Sequence, residues 1–201
     1  EPRPADGATD VPVDATLGWR AGRGAAVHEV YLGTDEAAVA EGAAPADAVG
    51  DASYTPADLH LATTYFWKVN EVNEADPAGT WPGEVWSFTT QQYLVVDDFE
   101  AYTDDEGSRI YQTWVDGWEN GTGSTVGHLD APFAERSIVH GGSQSMPLFY
   151  DNAGVAVAEA VRTFDEPQDW TANGIQSLSL YFRGVQGNDG HLYLKINGTK
   201  V

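Results

Sequence analysis

The chain of 201 residues contains no cysteine, which removes disulfides and thiolate metal sites and is compatible with either a cytosolic or an exported bacterial protein. Basic residues are scarce, 10 against 31 acidic, and the net charge of −21 repels phosphate backbones and anionic lipid surfaces. Neither nucleic acid nor membrane insertion is therefore expected. Neutral ligands and cations remain open. No apolar run approaches the roughly 20 residues of a membrane span, and no signal peptide is visible. Long Leu-rich helical periodicities are also missing. In their place stand 7 Trp, 9 Tyr, 22 Gly and 10 Pro, a composition that favours short strands joined by turns. With 42% hydrophobic residues the chain can bury one large core or two small ones. The expectation is an all-β protein of two domains.

Catalytic and metal motifs are equally thin. The five histidines, His28, His60, His128, His140 and His191, are scattered without H-x-H or H-E-x-x-H spacing, so no zinc site is expected. G-x-S-x-G, the P-loop and a G-x-G-x-x-G after a strand are absent. A glycosidase needs two carboxyls about 5 to 9.5 Å apart, and Asp116 with Glu119 is one conceivable pair. Their setting, WVDGWENGTG, reads as a turn-rich loop in which acids serve solubility. The chain is not expected to be an enzyme.

Strands are expected at 15–20, 26–33, 63–72 and 84–90, with turn material between. Alternation puts Tyr65, Trp67, Val69 and Glu71 on one face. The Ala-rich piece 35–49 offers a short helical turn after Asp35, but Gly42 and Pro45 interrupt it, so it reads mostly as loop. The spacing Leu17-x-Trp19, then Val30-Tyr31-Leu32-Gly33, then Leu59-x-Leu61-x-Thr63-x-Tyr65-x-Trp67-x-Val69, and finally Trp86-Ser87-Phe88-Thr89-Thr90 resembles a fibronectin type III domain over nearly all of 1–90. That family usually has proline where Leu61 stands. The resemblance implies a β-sandwich in which Trp19 is a core residue and Tyr65 is the corner tyrosine whose hydroxyl bonds back to backbone.

The texture changes at Tyr93. The stretch LVVDDFEAYTDDEG (94–107) sets apolar residues ahead of Asp97, Asp98, Glu100, Asp104, Asp105 and Glu106, and buried carboxylates need partners. Strands are expected at 92–102, around 111–118, and at 137–152, 158–164, 177–184 and 191–196. In the last two, alternation turns Leu178, Leu180, Phe182, Leu192, Leu194 and Ile196 to a core. Ser179, Tyr181, Arg183, Tyr193 and Lys195 take the opposite face. Asn197-Gly198 is a strong hairpin signal, and Asn120-Gly-Thr and Asn197-Gly-Thr are formal glycosylation sequons that the turn explains. A jelly roll needs roughly eight strands and about six are counted. With Glu1 rather than Met at the start, the chain is expected to be a fragment or processed product of a longer protein.

The opening Asp97-Asp98-Phe99-Glu100, the middle Ile138-Val139-His140-Gly141-Gly142-Ser143-Gln144-Ser145-Met146 and the SLSLYFRG strand resemble galactose-binding-like jelly rolls that serve as carbohydrate-binding modules. The resemblance implies an incomplete jelly roll over 91–201 and a structural Ca²⁺ site, with Asp98 and Glu100 as side-chain ligands and Gly142 or Ser143 giving carbonyls. Such an ion takes six to eight oxygens. It also implies a sugar, stacked on aromatic faces and hydrogen-bonded by polar side chains. The candidates are Tyr181, Arg183 and Tyr193 on the face away from the leucines, and Trp118 in its polar loop. Arrangements of this kind resemble large secreted or surface-bound bacterial multidomain proteins with laminin G-like modules. The expected role is non-catalytic glycan binding or adhesion outside the cell. The alternatives are a structural spacer without a ligand and an accessory part of a glycoside hydrolase.

Overall fold

In a computed structural model of the chain, residues 1–73, 79–188 and 190–201 are described. The protein is all-β, with three short helices among the described residues, and none of them is long and apolar enough to cross a membrane.

The N-terminal half contains β1 (Ala8–Val11), β2 (Leu17–Gly18), β3 (Val27–Gly33), α1 (Glu36–Glu41), β4 (Ala46–Val49), β5 (Ser53–Tyr54), β6 (Thr64–Val72), β7 (Thr80–Trp81) and β8 (Trp86–Thr90). One sheet has the order β1-β8-β6-β3-β4, with β7 paired to β6. A second, two-stranded sheet joins β2 to β5. The register of β3 on β6 sets Val30 against Val69 and Leu32 against Trp67, and the period of two keeps these on one face. There Val30, Trp67 and Val69 meet Leu17, Leu59, Tyr65 and Phe88 in a core whose members are 9% exposed or less, with Trp19, Leu32, Tyr54 and Trp86 packed against it. The Tyr65 hydroxyl accepts the backbone N–H of His60 at 3.0 Å, fixing the chain just before β6.

The Ala-rich piece is more ordered than its breakers suggest. Asp35 accepts the N–H groups of Ala37 and Ala38 and caps α1, and Gly42 ends it at φ 74°. Tertiary packing completes the helix, because Val39 is fully buried and Lys68 Nζ donates to the Ala40 carbonyl at 2.7 Å. The residues after Pro45 form β4 on the edge of β3.

The C-terminal half is built differently. It contains α2 (Ile110–Thr113), β9 (Trp114–Val115), α3 (Gly117–Asn120), β10 (Ser124–Val126), β11 (Leu148–Tyr150), β12 (Val161–Arg162), β13 (Lys195–Ile196) and β14 (Thr199–Lys200). These pair as three separate two-stranded ladders, β10 with β11, β9 with β12 and β13 with β14. Ile110, Val126 and Ala134 are buried, ringed by Phe99, Tyr102, Tyr111, Trp114, Phe133 and Met146.

Two expected strands are absent from the described residues. In 92–102 the Asp97 and Asp98 side chains accept the N–H groups of Phe99 and Glu100 and Phe99 takes φ 64°. Such local side-chain bonds offer the backbone an alternative to a ladder. In 177–184 the alternation is real, but a strand also needs a neighbour for its N–H and C=O groups, and no described residue pairs with it. Leu178, Leu180 and Phe182, expected in a core, are therefore 43%, 47% and 73% exposed. Of 191–196 only the last two residues form ladder pairs, with the Leu194 carbonyl accepting the Val201 N–H at 3.1 Å, and Leu192 is exposed too.

The halves touch. Asn173 Nδ2 donates to the Leu59 carbonyl at 2.8 Å, and the Leu61 N–H donates to the Asn173 carbonyl at 3.0 Å. Segment 173–174 thus clasps the loop that leads into β6, with Gly174 against His60.

Candidate ligand-binding site

The loop 116–126 displays an aromatic ring on a backbone tied down by hydrogen bonds. Asp116, 6% exposed, accepts the Trp118 N–H at 3.0 Å through Oδ1 and the Val126 N–H at 2.7 Å through Oδ2, so one carboxylate ties the start of α3 to the end of β10. Gly121 ends the turn at φ 71°. Asn120 Nδ2, Thr122 Oγ1 and Ser124 Oγ all donate to the carbonyl of Glu159, at 2.8, 3.2 and 2.6 Å. Gly123 is required by close approach, since a Cβ there would overlap the Asp151 carbonyl oxygen. The NGTGS run that reads as a plain turn in sequence is thus a three-donor knot, and Asn120 of the first sequon is occupied by it. Above the knot Trp118 stands 85% exposed.

A second cluster lies on Glu159. Its carboxylate accepts the Tyr193 hydroxyl and Lys195 Nζ, and Lys195 first, then Tyr193, holds the Glu159 carboxyl below its ordinary value. The same bond to Glu159 raises the Tyr193 phenol. Lys200 Nζ sits 3.9 Å from the centre of the Tyr193 ring. Tyr193 is therefore engaged at its hydroxyl and on one face. Tyr181 is 69% exposed and stacks on His140, with ring centres 3.6 Å apart at 17°. Arg183 is exposed in the unpaired stretch. Three of the four expected sugar-binding residues thus answer to different anchors, α3 for Trp118, His140 for Tyr181 and Glu159 for Tyr193.

The acidic opening divides its labour. Asp97, its side chain 9% exposed, pairs with Arg162 and accepts Tyr102 Oη at 2.6 Å, Trp114 Nε1 at 2.7 Å and its own Asx-turn N–H. Burial first, then Asp97, pushes the Tyr102 phenol up to about 12. Sequence reasoning missed this hub. Its signal is an isolated Arg162 between Val161 and Thr163 in a chain so poor in cations.

Glu100 is brought to Gly142 and Ser143 as expected, with the opposite polarity of contact. Its Oε1 accepts the N–H groups of Ser143 at 2.8 Å and Gln144 at 2.9 Å, and these two donors hold its carboxyl below the ordinary 4.5. Gly142, at φ 70°, leaves no space for a Cβ beside the carboxylate. Asp98 Oδ1 accepts the Glu100 N–H at 3.0 Å. A calcium ion needs carbonyl and carboxylate oxygens turned toward one point. Here the turn offers hydrogens to Glu100, so the residues as arranged do not fit the ion. Among the described residues no group of three or more His, Cys, Asp or Glu could hold a metal.

One open cleft went unforeseen. Thr125, Gly127, His128, Leu129, Asp130 and Phe149 enclose about 510 Å³ beside the β10–β11 ladder, where Thr125 and Phe149 are register partners. Phe149 and Leu129 are 53% and 86% exposed. His128 Nε2 lies 3.3 Å from Glu135.

No family model, curated protein or solved structure matches the chain. The site offers flat apolar rings on a fixed backbone, acids and amides at their edges, and an anionic surface overall.

Proposed function

We propose that 1–90 is a fibronectin type III-like sandwich, that 91–201 is a carbohydrate-binding module of the galactose-binding-like class, and that the second part binds a neutral polysaccharide without catalysis, outside the cell or at its surface. The two stacked sheets and the His60 N–H bond to the Tyr65 hydroxyl support the first reading. The observation that carries the function is Trp118, a large apolar ring exposed to solvent on a turn whose backbone is pinned by Asp116. An exposed indole on a pinned backbone offers its flat face to the C–H face of a pyranose without the loop having first to be ordered. The cleft beside Phe149 gives the same module a second apolar wall. The charge of −21 disfavours uronate or sulfated glycans. Glu100 serves in this reading as a clamp on the 142–144 turn, in the place where the resemblance implies a calcium ligand.

A specific observation favours a second reading. The Asn173 clasp gives the halves a fixed relation, which suits a spacer that sets the distance between neighbours and binds nothing. Affinity electrophoresis against a panel of neutral polysaccharides separates the two. Glycan binding predicts retardation on at least one polymer, and Trp118→Ala should weaken it roughly tenfold or more, a stacking contribution of about 1.4 kcal/mol. Migration unaltered by every polymer would leave the spacer.

A further inference from the structure

The chain holds three Asn-Gly dipeptides, Asn120-Gly121, Asn173-Gly174 and Asn197-Gly198, and the structure treats them unequally. Without a Cβ on the following residue, the backbone nitrogen of an Asn-Gly pair can reach the asparagine Cγ with little hindrance. Whether it does depends on what holds the side chain and the nucleophile. Asn120 is held at both ends, its Oδ1 accepting the Thr122 N–H and its Nδ2 donating to the Val115 and Glu159 carbonyls. The attacking nitrogen there, Gly121 N, donates to the Gly117 carbonyl at 3.1 Å. Asn173 gives Nδ2 to Leu59 and its own carbonyl to Leu61. Among the described residues nothing comparable holds Asn197. It sits exposed at φ 49° with Gly198 at φ 78°, at the tip of a ladder of two residue pairs whose four strand residues are all exposed.

We propose that Asn197 is a self-modifying site, converted without an enzyme to aspartate and isoaspartate, while Asn120 and Asn173 are protected by their folds. The reaction needs only water. The Gly198 backbone N–H loses its proton to hydroxide, and the nitrogen attacks Cγ of Asn197. The Cγ–Nδ2 bond breaks, and Nδ2 leaves as ammonia after taking a proton from water, closing a five-membered succinimide. Water then adds to one of the two imide carbonyls. Cleavage of the nitrogen–Cγ bond gives aspartate, and cleavage of the bond from nitrogen to the Asn197 main-chain carbonyl carbon gives isoaspartate. The native turn has both central residues at positive φ, as a two-residue hairpin requires, and it must open before the attack. A ladder of two pairs opens readily, being marginal in water by itself.

The product changes the hairpin. Either acid adds one negative charge to a chain already at −21, and isoaspartate also lengthens the backbone by one methylene, which a two-residue turn cannot absorb. β13 carries Lys195, whose ammonium is bonded to Glu159, and Glu159 is the residue on which the Trp118 loop is knotted. Conversion at Asn197 thus loosens Tyr193 and Lys195 first and leaves the Asn120 knot in place. The inference stands on the hairpin chemistry and does not depend on the glycan reading.

Ageing the whole chain at neutral and at mildly alkaline pH, followed by tryptic mapping and mass spectrometry, tests it. Trypsin releases 196–200 as a short peptide, and conversion there shows as two isomeric forms, each about one dalton heavier than the asparagine peptide. In the native chain, conversion at Asn197 should outpace that at Asn120 and Asn173 by about tenfold or more, and it should quicken with pH because hydroxide removes the Gly198 proton. In denaturant the three sites should converge on similar rates, which isolates the contribution of the fold. Native conversion of Asn120 or Asn173 as fast as Asn197, or an Asn197 as inert as the other two, would overturn the proposal.

Discussion

In 1–90, Trp67 and Phe88 lie at 0% and 1% exposure between two sheets, and Trp81 is the one large apolar side chain exposed among the described residues of that half. In 91–201 twenty such side chains are exposed, and three residues are buried in the core. The first half is held by apolar burial on a sheet whose central strands β3 and β6 are seven and nine residues long. The second is held by polar knots, Asp97 with Arg162, Asp116 across α3 and β10, and Glu159 under the NGTGS run. Apolar contact is non-directional and tolerates substitution, whereas a buried charge with several partners is costly to leave half-satisfied. The difference has a functional side. The second half keeps Phe99, Tyr102, Tyr111, Trp114 and Phe133 around its small core and turns Trp118, Phe149 and Tyr181 outward.

The largest expected effect is Trp67→Ala, which opens a cavity in the fully buried centre and should cost the N-terminal half about 4 kcal/mol, read from its denaturant midpoint. Next comes Asp97→Ala. It strands Arg162 and removes acceptors from Trp114 and Tyr102, and should cost the C-terminal half roughly 3 kcal/mol. Val126→Ala, an apolar deletion in the same half, should cost less, about 1–2 kcal/mol. If Val126→Ala proved the more damaging, the contrast between an apolar and a polar half would fail.

Smaller still, Asn173→Ala removes one bond between the halves, about 1 kcal/mol. It should separate their melting transitions in calorimetry while leaving each half folded. A single unchanged transition would mean that the clasp does not couple them. The smallest effect is a matter of pH. The Ser143 and Gln144 N–H groups lower the Glu100 carboxyl, so its contribution is present in full above the ordinary 4.5 and fades as pH falls through the lowered value. Wild type should lose stability below about pH 4.5 faster than Glu100→Gln, and parallel curves would deny Glu100 its role as clamp.

The N-terminal half is legible in sequence because its strands are long and their period of two is enforced by a buried face. Val30, Trp67 and Val69 mark it without help from other segments. β4 and α1 are hidden by composition, since Asp35, Gly42 and a docking surface on β6 decide them. In the C-terminal half the same alternation misleads. Leu178, Leu180 and Phe182 have the pattern of a strand and no partner to pair with. The meeting of Glu100 with 142–143 could be expected from family resemblance, but the direction of the hydrogen bonds could not, because a turn can present either its carbonyls or its N–H groups. Asp97 with Arg162 joins residues far apart in sequence, and no local pattern announces such a pair. Trp118 was visible as a ring in a polar loop. Its rigid support was not.

The central claim is that Trp118 is a sugar platform, and intrinsic fluorescence tests it most directly. Titrating neutral polysaccharides into wild type and into Trp118→Phe, the difference between the two emission spectra isolates the one indole at 85% exposure. A blue shift of that difference, saturating with at least one polymer, is the expected result, because a pyranose face replaces water on the ring. A difference spectrum that stays at the emission of a fully hydrated indole across the whole panel would contradict the account.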